Sequence, residues 1–182
     1  MKKTVLTFGL ISGAISSIMM VATIPFMDRI GFDKGMVIGY TTMVLAFMLV
    51  FFGIRSYRDN VQGGLISFGK AFKIGILITL ISCACYVITW EILYFNFLPD
   101  FLDKYAAHAI EKMKTSGATE AAIQAKQVEM AEFGKMYQNP LINAAFTFLE
   151  PFPVGLLFTA ISALVLKKKA AAEPGFANAV RS

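Results

Sequence analysis

Charge is what this sequence has least of. Only 16% of its 182 residues are charged, against about 25% in an ordinary soluble domain. Histidine occurs once, at His108, and cysteine twice, at Cys83 and Cys85. Two positions apart on a helix, the cysteines point to nearly opposite faces and form no local disulfide. With a single histidine they make no metal-ligand set either. No Ser/His/Asp constellation and no glycine-rich phosphate loop can be found. An enzyme, a metal and any other cofactor are therefore left without sequence support.

What fills the chain instead is apolar. Hydrophobic residues make up 57%, with 17 phenylalanines and 10 methionines. The mean hydropathy is +0.63. Val5 to Ile24 and Gly35 to Ile54 are runs of twenty residues without a charge. Ile74 to Trp90 has seventeen more, and Leu141 to Leu166 carries only Glu150. A helix needs about 20 residues to cross the hydrocarbon core. Backbone groups cannot stay unpaired in lipid, so such runs must be helical. The expectation is an all-α membrane protein with four transmembrane helices, at about 5–25, 35–54, 73–98 and 141–166. Residues 1–169 form a single membrane domain, and 170–182 read as a disordered tail. The first run follows Lys2 and Lys3, as a signal peptide's would. It exceeds the usual length of about 7–15 residues and has no small-x-small site after it, so it reads as a retained helix.

Lysine and arginine set the orientation. With four spans, both termini share a side with the 55–73 loop, and that side holds ten basic residues against two acids, Asp59 and Glu173. The other side holds seven basic residues against eight acids. The termini are thus expected in the cytoplasm. The net charge of +5 is this bias, and does not indicate nucleic acid. The partner that the composition does indicate is the lipid bilayer.

Residues 99–140 are expected to form a helical hairpin outside the membrane, between the third and fourth helices. Leu102, Tyr105, Ala106, Ala109 and Met113 recur at helical steps. Ser116-Gly117 breaks the stripe, and Thr119 is placed to cap a second helix. Asn139-Pro140 ends it. The hairpin is either a solvated cap or a surface for a protein partner.

The cytoplasmic loop carries Arg55, Arg58, Asp59, Gly63, Gly64, Lys70 and Lys73. Gly63-Gly64 permits a turn with unusual dihedrals. The basic residues serve topology, or form a pocket for anionic lipid head groups. Gly9-x-x-x-Gly13 and Gly35-x-x-x-Gly39 permit close helix approach, within one chain or across a homo-oligomer seam.

RSYRDNVQGGLISFGKAFKIG, the acidic hairpin closed by Asn139-Pro140, EPFPVGLLFTAISALVL and the following KKK together resemble a known family. It is the family of small bacterial membrane proteins labelled domain of unknown function 4199. The resemblance spans roughly residues 1–169. It is most specific at Arg55, Tyr57, Asp59, Gly63, Gly64, Phe68, Gly69 and the Pro153-Val154-Gly155 turn. It implies a four-span protein of the bacterial inner membrane and implies no activity.

Two carboxyl groups lie inside apolar segments, Glu91 and Glu150. A charge near the bilayer centre costs roughly 2.5–3.5 kcal/mol on insertion scales. Each carboxyl must face the bundle interior, carry a proton or find a partner. Glu91 lies about 10 Å from the outer end of its span, and Glu150 about 13 Å from the same side. No span offers a basic partner, so Thr89, Asn96, Asn143, Thr147 and Tyr86 are the expected ones. Pro151 and Pro153 follow Glu150 and remove backbone donors. A carboxyl beside a broken helix suggests a polar cavity, and Glu91 with Glu150 forms the candidate intramembrane site. The function that follows is non-enzymatic binding of a partner or lipid. The alternative is a small oligomeric transporter or proton/cation carrier.

Overall fold

The computed structural model describes residues 1–168; the tail assigned to 170–182 lies outside them. Eight α-helices follow one another: α1 (Lys2–Thr23), α2 (Met27–Ile30), α3 (Phe32–Val61), α4 (Phe68–Phe97), α5 (Phe101–Thr115), α6 (Glu120–Tyr137), α7 (Pro140–Leu149) and α8 (Pro151–Leu166). A short 3-10 turn, Ile24–Phe26, joins α1 to α2. Four helical stretches are long and apolar enough to cross a membrane: Lys2–Phe26, Phe32–Val61, Phe68–Phe97 and Pro140–Leu166. α7 and α8 together make the fourth. Helix α3 continues past the end of its charge-free run and carries Arg55, Arg58 and Asp59 on its last turns. Charge ends a lipid-compatible run but does not end a helix. The glycines that do end it come later, with Gly63 and Gly64 at φ of 60° and 85°.

α1 packs against α3 and α4, and α8 packs against the same two helices. α3 and α4 also touch each other, so α1 and α8 occupy the two grooves on either side of that pair. Phe47, Val50, Ile54, Ile74, Ile78 and Ala163 form the buried centre. The outward faces are apolar too: Ile18, Val37, Leu45, Ile88, Leu157 and Val165 are exposed. In water such a surface would aggregate; in a bilayer it is solvated by lipid tails.

Small and hydroxylated residues draw the helices together, since lipid removes the hydrophobic drive between them. A Cβ on Gly13 would lie 2.6 Å from Cys85 Cβ. Ser12 Oγ donates to the Ala46 carbonyl at 2.9 Å and lies 3.0 Å from Ser82 Oγ, tying α1 to both α3 and α4. Gly9 and Gly13 thus pack within the chain. Gly35 and Gly39 do not repeat this, because nothing approaches within 4 Å of the Cβ either would carry.

The hairpin is built as its local signals require. Gly117, at φ 78°, ends α5, and the Thr119 side chain accepts a bond from Ala122 N–H at 3.3 Å. Asn139 caps α7 through Leu141 N–H, with Pro140 in the first turn. Thr119→Ala is expected to weaken the start of α6 by about 0.5–2 kcal/mol. Hydrogen exchange should then quicken in the first turn of α6 while α4 keeps its protection. Faster exchange spread evenly over the whole chain would contradict a local cap.

Candidate functional site

α8 packs on α3 and α4, but α7, beyond Glu150, keeps α4 and packs on α6 instead of α3. The change of partner happens at one residue. Glu150 separates the two helices yet keeps right-handed dihedrals, φ −73° and ψ −59°. The two prolines sit at the first and third positions of α8, where a missing N–H costs least. The break is therefore confined to a single residue.

The space that opens is a cavity of about 380 Å³. Thr147 lines it from α7, Glu150 from the junction of α7 and α8, Tyr86 and Trp90 from α4, and Phe101 and Tyr105 from α5. α1 contributes Ser16, Met19 and Met20, and α3 contributes Gly35, Gly39 and Met43. Gly35 and Gly39 lie on the helical stripe that continues through the buried Thr42, Met43 and Ala46. Their missing side chains leave the cavity wall open. The close-approach pattern at Gly35 and Gly39 thus makes room for a cavity, and no neighbouring helix occupies it.

Glu150 Oε2 accepts a hydrogen bond from the Tyr86 hydroxyl at 3.0 Å. The carboxyl retains accessible surface and borders the cavity. Glu91, on α4, is not on the cavity lining, and its Oε1 is buried with no hydrogen-bond partner. Thr89 bonds to Ser17 and to the Cys85 carbonyl, and Asn96 bonds to the Ile92 carbonyl. The structure thus places one carboxyl of the expected pair on the cavity and leaves the other off it. Both still act electrostatically on the Tyr137 hydroxyl at the end of α6. Burial, more than anything else, raises the pKa of that phenol, and the two carboxyls add to the rise. Hydrogen bonds with Thr147 and Trp90 oppose it. The phenol therefore stays protonated near neutral pH and can act as a donor.

A polar relay supports this wall. Trp90 Nε1 donates to Tyr137 Oη at 3.0 Å, and Tyr137 Oη lies 3.2 Å from Thr147 Oγ1. Thr147 donates to Asn143 Oδ1 at 3.2 Å, and Asn143 Nδ2 returns to the Tyr137 carbonyl at 3.3 Å. Each hydroxyl has one proton, so Tyr137 must donate to Thr147. The relay fastens the hairpin to α4 and α7. At the other side, Lys112 Nζ pairs with Asp33 Oδ1 at 2.9 Å. His108 Nε2 lies 3.6 Å from the same oxygen, too far for a hydrogen bond, and its ring sits 5.3 Å from Phe32. The hairpin therefore covers the end of the bundle where the cavity lies.

The loop residues lie at the opposite end. Arg58 Nε and Arg55 Nε both reach Asp59, at 2.7 and 3.6 Å. Arg58 Nη1 also donates to the Leu166 carbonyl at 3.4 Å. Lys70 Nζ donates to Gln62 Oε1 at 2.8 Å and stands over the Tyr57 ring, while Lys73 is exposed. Ile66 and Lys168 exchange backbone bonds of 3.0 and 2.9 Å. Arg58 and the Ile66 bridge thus hold the end of α8 to the loop.

A family model described as a protein of unknown function, DUF4199, matches residues 7–168. The chain belongs to the DUF4199 family. Comparison with curated proteins and with solved structures returns no match. For this DUF4199 chain, function must be argued from the cavity itself. Sequence reasoning reached Glu150, its kink and Tyr86 as its partner, but missed the methionines and the other aromatic rings around it. Those residues looked like ordinary apolar filler, and only packing shows which of them face a void.

Proposed function

We propose that this chain is a non-enzymatic, membrane-embedded binding protein of the bacterial inner membrane. Its bundle cavity takes a small molecule with an apolar body, and the α5–α6 hairpin roofs it. The observation that carries the reading is the 380 Å³ cavity, within the range of about 300–1,000 Å³ common for small-molecule sites. Its lining is mostly methionine and aromatic, with Glu150 as the one charged group among the described side chains. Methionine suits such a wall, because its flexible side chain adapts to varied apolar shapes. A carrier using two carboxylates would need both in one compartment; Glu91 lies off the lining, so binding is the reading we retain.

Gly39→Leu tests this reading, since a Cβ there meets nothing within 4 Å and the rest of the side chain extends from the cavity wall. Native mass spectrometry of protein extracted from its membrane should show a small-molecule adduct on the parent and none on Gly39→Leu. An adduct of equal abundance on both, or on neither, would count against the cavity as a binding site.

The charge bias supports a hairpin outside and both termini in the cytoplasm. With Ser116→Cys and Ser67→Cys, a membrane-impermeant maleimide applied to spheroplasts should label the first and spare the second. The opposite pattern would reverse the orientation.

A further inference from the structure

The lining residues can be read for charge as well as for shape. Among the described side chains, Glu150 is the sole acid on the cavity wall, and no lysine, arginine or histidine shares it. One oxygen of that carboxyl is met by Tyr86. The other has no hydrogen-bond partner among the described residues. An ionised carboxyl in such a place has no counter-charge among the described lining side chains, and a charge inside a membrane-spanning bundle without one is costly.

The aromatic groups bear on what could supply it. Phe32 meets Phe101 and Tyr105 at interplanar angles of 67° and 74°. Trp90 meets Phe101 at 79°, with centroids 4.9 Å apart. These rings pack edge to face on one another and also line the cavity. Aromatic faces carry negative potential and attract a cation lying over them, most strongly at tryptophan. The same faces and the carboxylate repel an anion. A neutral ligand would leave the carboxyl with Tyr86 alone.

A metal ion is a poor fit. Among the described residues, no group of three or more histidine, cysteine or acidic side chains could hold one. A hard divalent cation takes about six or more oxygen ligands, and here one carboxyl faces thioethers and rings. A diffuse organic charge asks for less: one counter-ion and aromatic faces.

We propose that this cavity binds a monovalent organic cation, an ammonium or amine carried on an apolar body. Its charge sits between Glu150 and the rings of Tyr86 and Trp90, and its apolar body lies against Met19, Met20 and Met43. This rests on the cavity being a binding site, and adds the class of ligand.

The chain contains one tryptophan, and it lines the cavity, so its fluorescence reports occupancy directly. Purified protein in a non-ionic detergent would be titrated with phenyltrimethylammonium. The control is tert-butylbenzene, which replaces the nitrogen by carbon and has the same shape without the charge. A saturable change in Trp90 emission is expected with the cation, and at least tenfold weaker binding with the neutral isostere. Glu150→Gln should lower the cation's affinity at least tenfold, and Glu91→Gln should leave it within twofold. Gly39→Leu should abolish binding with the carboxyl intact, which keeps the test decisive if Glu150→Gln fails to fold. Equal binding of cation and isostere, or unchanged affinity in Glu150→Gln, would overturn the charge preference and leave the cavity reading standing. No saturable response to the cation in the parent would overturn this inference alone, because the adduct experiment judges the cavity independently.

Discussion

Gly155→Leu is expected to abolish the folded bundle in detergent. Gly155 is where α8 comes closest to its neighbours. A Cβ there would stand 2.8 Å from Phe47 Cε1, and closer still to the methyl of Thr79. Neither can move aside easily. Phe47 and Thr79 are both buried, and Thr79 Oγ1 is held by the Gly155 carbonyl at 3.3 Å and by Thr159 at 3.1 Å. Overpacking a close-packed core costs typically about 1–3 kcal/mol and occasionally more. Gly155→Ala falls in that range, and the leucine, with three more carbons, exceeds it. The measurements are monodispersity on gel filtration and thermal unfolding in the same detergent. Gly39→Leu is the matched control. The substitution is the same and the position is also helical, but no neighbour lies within 4 Å. It should remain monodisperse and melt close to the parent. If Gly155→Leu melted as the parent does, the close α3–α4–α8 packing described above would be wrong.

The second large effect is expected at Asn143. Its side chain is fully buried and bonds on both sides, to the Tyr137 carbonyl and from the Thr147 hydroxyl. Leucine keeps the branching at Cγ, is bulkier, and makes neither bond. A buried polar group left unpaired costs about 1–3 kcal/mol. Thr147 has a fallback in its own helix, since threonine hydroxyls can bond a carbonyl four residues back. The Tyr137 carbonyl, at the end of α6, has none. Asn143→Leu should therefore loosen the hairpin more than the bundle. Exchange should quicken in the last turn of α6, and Trp90 emission should shift to the red as Tyr137 lets go of it. Protection in α1 and α8 should be unchanged. Loss of protection throughout the chain, or in none of it, would remove the relay from its assigned role.

Hydropathy alone determined the class of this protein. Twenty-residue runs without charge have one low-energy form in lipid, a helix whose backbone satisfies itself. The four spans were therefore legible before any coordinates. So were the local stops, because Gly117, Thr119 and Asn139-Pro140 act through their own backbone and side chains within a turn. Glu150 was legible as well, since a carboxyl and two prolines in one apolar run are conspicuous.

What only the tertiary structure decided is which residues share a space. Glycine offers one example. Gly9-x-x-x-Gly13 and Gly35-x-x-x-Gly39 are the same pattern in sequence, yet one is filled by α4 and the other opens on the cavity. A pattern records that a side chain is missing, and cannot record whether a neighbour comes to fill the place. The carboxyls offer another. Glu91 and Glu150 lie at similar depth by residue count, but depth says nothing about direction around a helix axis relative to another helix. The aromatic cluster on the cavity wall is the third. Phe32, Trp90 and Phe101 come from three different helices, and rings so far apart in the chain meet only because α5 folds back over the end of α3 and α4.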